Sequence, residues 1–306
     1  MNPASTSQIL RRIQEALEKA VDAISPFIPG AMRVEFKLRN DPVTEADRVA
    51  NNVLRDVLVR DGEGWLSEES ADDLTRLEKT RVWVVDPIDG TREFVAGVPE
   101  WCVSVGLIEN GLAIAGGISN PATGETFLGS LETGVTYNGN RASASRRKTL
   151  NGATVLASRN EVKRGEWERF RNGPFAIRSM GSVAYKLALV AAGLADATWT
   201  LCPKHEWDVA AGVALVNAAG GFAQELNNSF LTFNNKFCLL PNLLAGGPYL
   251  SGQLSSYLLP HSDATQRARA FNPLLGRAVL RQEACTFESV IREEVKDTSW
   301  QGRRPR

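Results

Sequence analysis

The chain has 306 residues, 43% of them hydrophobic and 23% charged, the balance of a folded globular protein with material for a sizeable core. Lys plus Arg and Asp plus Glu both number 35, so the formal net charge is zero, which excludes broad electrostatic binding to nucleic acid or to an anionic membrane. Only two histidines are present, His205 and His261, which excludes a multi-histidine metal site and restricts any Ser-His-Asp or Cys-His site to one of them.

Taken in chain order, residues 7–25 place Ile9, Leu10, Ile13, Ala16, Leu17, Ala20, Val21 and Ile24 at helical spacing, and Pro26 stops the run. Arg11, Arg12, Glu15, Glu18, Lys19 and Asp22 interrupt this stretch, so it does not read as a secretory leader. A second helix starts at Thr44, a good N-cap, with Asp47 three residues on and Val49, Val53, Leu54, Val57 and Leu58 on one face. Val82–Val85 is a short β-branched run and reads as a buried strand. Trp101–Ile108 and Leu112–Ile118 flank Glu109-Asn110-Gly111, a hairpin signal. Glu125–Gly129 and the turn Tyr137-Asn138-Gly139 extend an antiparallel β-rich region.

The polar stretch Ser143–Asn151 reads as a boundary, after which strands and helices alternate. Strands are expected at Ala153–Ala157, Phe175–Arg178, Ala197–Leu201 and Phe222–Leu226. Helices are expected at Val162–Phe170, Ser182–Ala192 (ended by Gly193) and Trp207–Ala219 (ended by Gly220-Gly221). Val183–Ala197 is the longest apolar stretch, but Lys186 and Asp196 break it and it is too short to span a bilayer. The periodicity fades beyond about residue 255, and the basic end Lys296–Arg306 reads as disordered. The division is therefore an N-terminal α+β half over 1–148, a C-terminal α/β half over 149–255, and a divergent, poorly ordered tail over 256–306. Cys102, Cys202, Cys238 and Cys285 form no C-x-x-C pair. They read as free thiols of a reducing compartment, which with the absence of a leader points to the cytoplasm.

The chemistry resides in carboxylates at special places. Asp86 ends the strand Val82–Val85 and is followed by Pro87-Ile88-Asp89-Gly90-Thr91, so two acids share one tight turn. Acids so placed repel each other unless a cation lies between them, and oxygen-only donors favour Mg²⁺ or Mn²⁺ over Zn²⁺. Thr91-Arg92-Glu93-Phe94 opens a helix whose first amides at Gly90 and Thr91 suit a phosphate oxygen. Asp-Pro and Asp-Gly are also ordinary turn dipeptides, and taken alone these six residues leave both readings open. Glu68-Glu69 follows Trp65-Leu66, Asp47 lies in a first helical turn, and Asp208 opens another helix; each also suits a solvated face or a helix dipole.

Two segments, Asp86-Pro87-Ile88-Asp89-Gly90-Thr91 and Trp207-Asp208-Val209-Ala210-Ala211-Gly212, resemble the two signatures of the inositol monophosphatase superfamily, Mg²⁺-dependent and lithium-sensitive phosphomonoesterases. Asp41-Pro42-Val43-Thr44-Glu45-Ala46-Asp47, Ser67-Glu68-Glu69-Ser70, Gly181-Ser182-Val183-Ala184 and Ala192-Gly193-Leu194-Ala195-Asp196 match in register, and the similarity covers residues 8–240. The resemblance implies a layered α-β-α-β-α sandwich, in α+β or α/β terms, with metals between the two halves. It assigns Glu68, Asp86 and the Ile88 carbonyl to one metal, and Asp86, Asp89 and Asp208 to a second. Asp47 and Glu69 lie near a third. Thr91, paired with Glu68, helps activate a metal-bound water, and Asp47 joins Glu68 and Thr91 as a catalytic candidate. Gly90, Thr91, Ser158, Gly181 and Ser182 fall in substrate-contact regions; Ser182 and Ser158 also suit helix capping and a strand-end turn. A homodimer is implied, with a small phosphorylated metabolite as the partner of the site.

Two departures bear on substrate. Arg92-Glu93-Phe94 resembles the Lys-Glu-Phe of bacterial 3'(2'),5'-bisphosphate nucleotidases. Where inositol monophosphatases place a Glu seven residues before the second signature's Asp, this chain has Leu201, followed by Cys202-Pro203-Lys204-His205-Glu206. A second phosphate needs positive charge beyond the metals, for which Arg159, Arg178, Lys186, Lys204 and His205 are candidates. The expected activity is hydrolysis of adenosine 3',5'-bisphosphate to AMP and phosphate. The alternative is an inositol-1-monophosphatase or related sugar phosphatase. A non-catalytic phospholigand binder is disfavoured because Glu68, Asp86, Asp89, Thr91 and Asp208 are all present.

Overall fold

The structure, a computed structural model, describes residues 5–31, 35–37 and 41–262. Helix α1 (Thr6–Ile24) begins where Ser5 and Gln8 cap each other reciprocally, and it buries Ile9, Ile13, Ala16, Leu17, Ala20 and Ile24 along one stripe. A small antiparallel ribbon, β1 (Glu35–Lys37) and β2 (Asp41–Val43), leads into α2 (Glu45–Leu58), capped at Thr44 as its sequence predicts. Next come β3 (Gly64–Ser67), β4 (Arg81–Asp89), α3 (Thr91–Val95), β5 (Cys102–Glu109), β6 (Leu112–Asn120), β7 (Glu125–Ser130), β8 (Gly134–Tyr137) and β9 (Asn140–Ala142). These strands form one sheet in that order, β3 and β4 parallel and the rest antiparallel.

The second half contains β10 (Thr154–Ser158), α4 (Arg159–Lys163), β11 (Ala176–Met180), α5 (Val183–Ala191), β12 (Ala197–Thr200), β13 (Lys204–His205), α6 (Glu206–Ala218), β14 (Phe222–Gln224), β15 (Leu239–Leu240), β16 (Leu243–Gly246) and α7 (Ser251–Leu258). Its sheet runs β11-β10-β12-β16-β14, while β13 and β15 pair as a separate ribbon. The layers follow from what each face must bury. Helices α1 and α2 cover the outer face of the seven-stranded sheet through Ile13, Leu17, Leu54, Trp83, Val85 and Val105. Helices α5 and α6 fill the space between the two sheets and share one core with both. Trp167, Phe170, Trp199, Leu250, Leu254 and Leu258 close the outer face of the second sheet. This is the expected α-β-α-β-α sandwich.

Helix α6 is buried on nearly every side from Val209 to Val216, as a helix between two sheets must be. Its fit depends on missing side chains. A Cβ on Gly116 would lie 2.5 Å from the Ala211 carbonyl oxygen, and one on Gly212 would lie 2.4 Å from the Leu187 Cβ of α5. The Ala210-Ala211-Gly212 part of the second signature therefore sets how closely the helix meets the sheet and its neighbour.

Three expectations are corrected. Strand β4 does not stop at Val85; it continues to Asp89 with a break in register against β5 between Asp86 and Asp89. An irregular strand, able to accommodate Pro87, carries both acids, and the tight turn comes only at Gly90, whose φ of +99° suits a residue without Cβ. Val162–Phe170 is not one helix: Ser158 caps the earlier α4, Gly165 at φ +77° breaks the run, and Glu168–Phe170 forms a separate 3₁₀ turn. At the end, α7 and a 3₁₀ turn at Leu259–His261 extend the packed structure past residue 255. The remainder of the expected tail, from 263, lies outside the described residues, as does Cys285.

Candidate functional site

Each carboxylate of the candidate site is placed by a local rule. Asp86 and Asp89 lie on the irregular end of β4, where the Ile88 amide donates to Asp86 Oδ1 at 3.1 Å. Glu68 follows β3, and its loop is held by α2: Ser67 Oγ donates to Asn51 Oδ1 at 2.7 Å, and the Glu69 amide donates to Ser67 Oγ at 3.3 Å. Asp208 lies in the first turn of α6, where its Oδ2 accepts from the His205 amide at 3.0 Å. The start of that helix is fixed in turn by buried Glu206, which accepts from the Asn234 and Asn235 amides at 2.7 and 3.0 Å.

Glu68, Asp86 and Asp208 come from three distant segments, yet each places a carboxylate oxygen within 4.8 Å of the others. Burial pushes the Asp86 carboxyl well above the usual range, and the neighbouring Glu68, Asp89, Asp208 and Asp47 push it further. Burial likewise raises Asp208, with Asp89 and Glu68 adding to it. Asp89 is raised by burial, against the pull of its partners on α5: Ser182 Oγ and the Ala184 amide donate to its Oδ2 at 2.6 and 2.5 Å. Like charges gathered around a buried Asp86, with oxygen-only donors at this spacing, are a chemical fit for a hard divalent cation.

Thr91, the first residue of α3, donates through its hydroxyl to the Ile88 carbonyl at 3.0 Å and to Asp47 Oδ1 at 3.2 Å. Asp47 also caps its own helix, since its Oδ2 accepts from the Thr44 amide at 2.8 Å and the Thr44 hydroxyl at 2.7 Å. One Asp47 side chain thus caps α2 and accepts from the Thr91 hydroxyl at the site. Neither Asp47 nor Glu69 is on the cavity wall.

The cavity, about 690 Å³, is lined by Glu68, Asp86, Ile88, Asp89, Gly90 and Thr91 on one side. Ser158, Gly181, Ser182, Lys204, His205, Trp207 and Asp208 line it from the second half. Ser158 and Ser182 also cap α4 and α5. Arg92, Glu93, Arg159, Arg164 and Lys186 also face it. Three of its cations are already neutralised. Arg159 meets Glu100 and, at 3.8 Å, Glu93; Lys204 meets buried Glu161 at 3.0 Å; Arg164 meets Glu166 at 2.5 Å. Burial is the largest influence and works against the Lys204 ammonium, but Glu161 and Asp208 together outweigh it and the net shift is upward. Lys186 differs: it is buried, and it donates to carbonyls, Ser182 O at 2.5 Å and Gly181 O at 3.4 Å. Burial lowers its pKa to about 8.

Two sequence expectations do not reach the cavity. Arg178 is exposed on β11, and Leu201 is buried in the aromatic core around Trp199. The carboxylates that hold the cations, Glu93, Glu100, Glu161 and Glu166, were not anticipated, nor was Asn51. A second acidic group, Glu161, Glu166 and Cys202, is occupied by its own neighbours. Glu161 accepts from Thr200, Lys204 and Trp167, and the Cys202 thiol donates to Glu166 at 3.0 Å.

The five-layer fold with an acidic cluster between its halves defines a phosphomonoesterase built on a layered α/β sandwich. The chain belongs to the inositol monophosphatase family, whose model matches residues 7–263. It is similar to the inositol-1-monophosphatase of Rhizobium meliloti, with 30% identity over 230 residues, covering 72% of this chain and 86% of that protein. The extragenic suppressor protein suhB of Bartonella henselae superposes with a TM-score of 0.71 at 29% identity, over 82% of this chain and 98% of that one. CysQ of Bacteroides thetaiotaomicron, a bacterial member of the same family, superposes with a TM-score of 0.66 at 26% identity, over 78% and 97% of the two chains. Among the described residues no helix is long and apolar enough to cross a membrane.

Proposed function

We propose that this phosphatase is Mg²⁺-dependent and acts on a substrate carrying a second anionic group, a 3'(2'),5'-bisphosphate nucleotide such as adenosine 3',5'-bisphosphate, releasing AMP and phosphate. The observation that carries the reading is Lys186, a buried ammonium on the cavity wall that hydrogen-bonds only the Ser182 and Gly181 carbonyls, while Asp89, Glu161 and Glu93 act on it through space. Those carboxylates form no direct ion pair with the ammonium, and an anionic group of the substrate would add a direct partner. Leu201 supports the same reading, because its place in the core leaves no carboxylate there to grip a polyol.

Glu68, Asp86, the Ile88 carbonyl, Asp89 and Asp208 would hold the cations, with Mn²⁺ fitting the same donors. When bound, they supply a water of lowered pKa and offset charge on the phosphoryl and leaving oxygens. The chain's own work is positioning. Asp47 and the Ile88 carbonyl fix the Thr91 hydroxyl toward the reacting centre, Asp89 ties its strand to α5, and Lys186 orients the far end of the substrate.

A second reading, inositol 1-phosphate as substrate, is favoured by the name of the Rhizobium meliloti relative. Phosphate release with Mg²⁺ on both compounds, with and without lithium, separates the two. The expected result is at least a tenfold higher kcat/KM for the nucleotide. A preference for inositol phosphate overturns the nucleotidase reading and leaves the phosphatase standing.

A further inference from the structure

The mechanism leaves one feature of the cavity wall without a task. The rings of His205 and Trp207 stack with centroids 4.3 Å apart and planes 4° from parallel, and both residues line the cavity. We propose that this pair is a stacking platform for the base of a nucleotide substrate; the proposal rests on the nucleotidase reading and names the surface that would recognise the base.

The pair is rigid. Its backbone is pinned from both sides: His205 pairs with Leu239 in the β13–β15 ribbon, and its amide donates to Asp208 Oδ2 at 3.0 Å. Trp207 packs against the main core, and Cys238 Sγ lies 4.0 Å from His205 Nδ1 at the ring edge. A rigid aromatic stack costs little to order on binding, so the interaction with a flat ring is largely retained as affinity. Its position also fits. Asp208, in the acidic cluster, is the next residue after Trp207, so a substrate whose phosphate is held at the cluster extends past the two rings. The cavity, about 690 Å³, is large enough for a nucleotide. Saturated polyols have no π-face to offer, whereas every nucleobase has one, and base–aromatic stacking is worth roughly 5- to 150-fold in affinity.

The test compares KM on adenosine 3',5'-bisphosphate and on a base-free ribose bisphosphate, and follows AMP binding by tryptophan fluorescence. For His205→Ala, the nucleotide KM should rise about tenfold more than the base-free KM, with kcat changed less than threefold. His205→Phe should restore the nucleotide KM to within threefold of wild type, which separates loss of the ring from misfolding of the α6 start. If both KM values move together in His205→Ala, the platform is overturned while the nucleotidase reading stands. If wild type does not hydrolyse the nucleotide, that reading fails and AMP decides the platform. Quenching that weakens in His205→Ala upholds a base site, and absence of AMP binding overturns it.

Discussion

Replacing Asp86 by Asn should stabilise the protein in EDTA while abolishing its response to Mg²⁺. Three carboxylates, Glu68, Asp86 and Asp208, have oxygens within 4.8 Å of one another, with Asp86 buried. At that distance and an effective dielectric near 20, each ionised pair repels by about 3 kcal/mol. Protonation limits the cost, because each unit of upward shift costs about 1.4 kcal/mol only until the folded pKa passes the working pH. Asn keeps an Oδ1 for the Ile88 amide, now donating at 3.1 Å to Asp86, and removes the charge. The expected gain in urea unfolding, followed by tryptophan fluorescence in EDTA at pH 7.5, is about 1–3 kcal/mol. The sign with pH follows from the upward shift. The folded protein binds the Asp86 proton more tightly than the unfolded chain, so metal-free wild type loses stability as pH rises above 3.8 toward the folded value, and the variant loses less. With Mg²⁺ at 100-fold its Kd, wild type gains about 2.7 kcal/mol and the variant gains under about 1. Phosphate release should fall to background. A variant less stable than wild type in EDTA by more than about 1 kcal/mol would refute the reasoning, because the carboxylate would then be favourably held rather than repelled.

Leu201→Glu, which the sequence suggests as a route to inositol phosphate, should instead destabilise by about 3–4 kcal/mol, since it buries a carboxylate in the aromatic core; a gain in inositol phosphate turnover would place the side chain in the cavity after all. Lys186→Met should change the pH dependence of stability. The folded value near 8 lies below the ordinary 10.5, so wild type carries a full penalty below pH 8 that is relieved as pH rises to 10.5. The stability advantage of the variant should therefore shrink by up to about 3 kcal/mol over that range, measured by urea unfolding at several pH values, and a difference that stays flat removes the buried-ammonium assignment.

The parts of the fold that could be read from the chain are those governed by local rules. Helix α1 announces itself by apolar spacing and by the Ser5–Gln8 box, α2 by Thr44 and Asp47, and the β5–β6 hairpin by Asn110-Gly111. Strands β3, β15 and β16 were missed because each is only two to four residues long, too short for a period to show. The apparent helix at 162–170 was misread because Gly165 overrides the apolar spacing on either side. At the site, Asp86, Asp89 and Asp208 are visible because they sit in two compact signatures, and Asp47 and Glu68 because their shorter segments match in register. Their consequences are not. That Arg159 would meet Glu93 and Glu100, that Lys204 would meet Glu161, and that Leu201 would turn inward depend on chain segments brought together only by folding.

Helix α6 separates ancestry from activity. Of the six residues in its signature, Ala210, Ala211 and Gly212 are dictated by how closely the helix meets Gly106, Gly116 and Leu187, while the acid at Asp208 answers to a different demand. A descendant could lose that acid and still keep the small residues, because any larger side chain would prise the sandwich apart. Resemblance in this segment therefore certifies an architecture, and whether a given relative still turns over substrate has to be judged from the carboxylates alone.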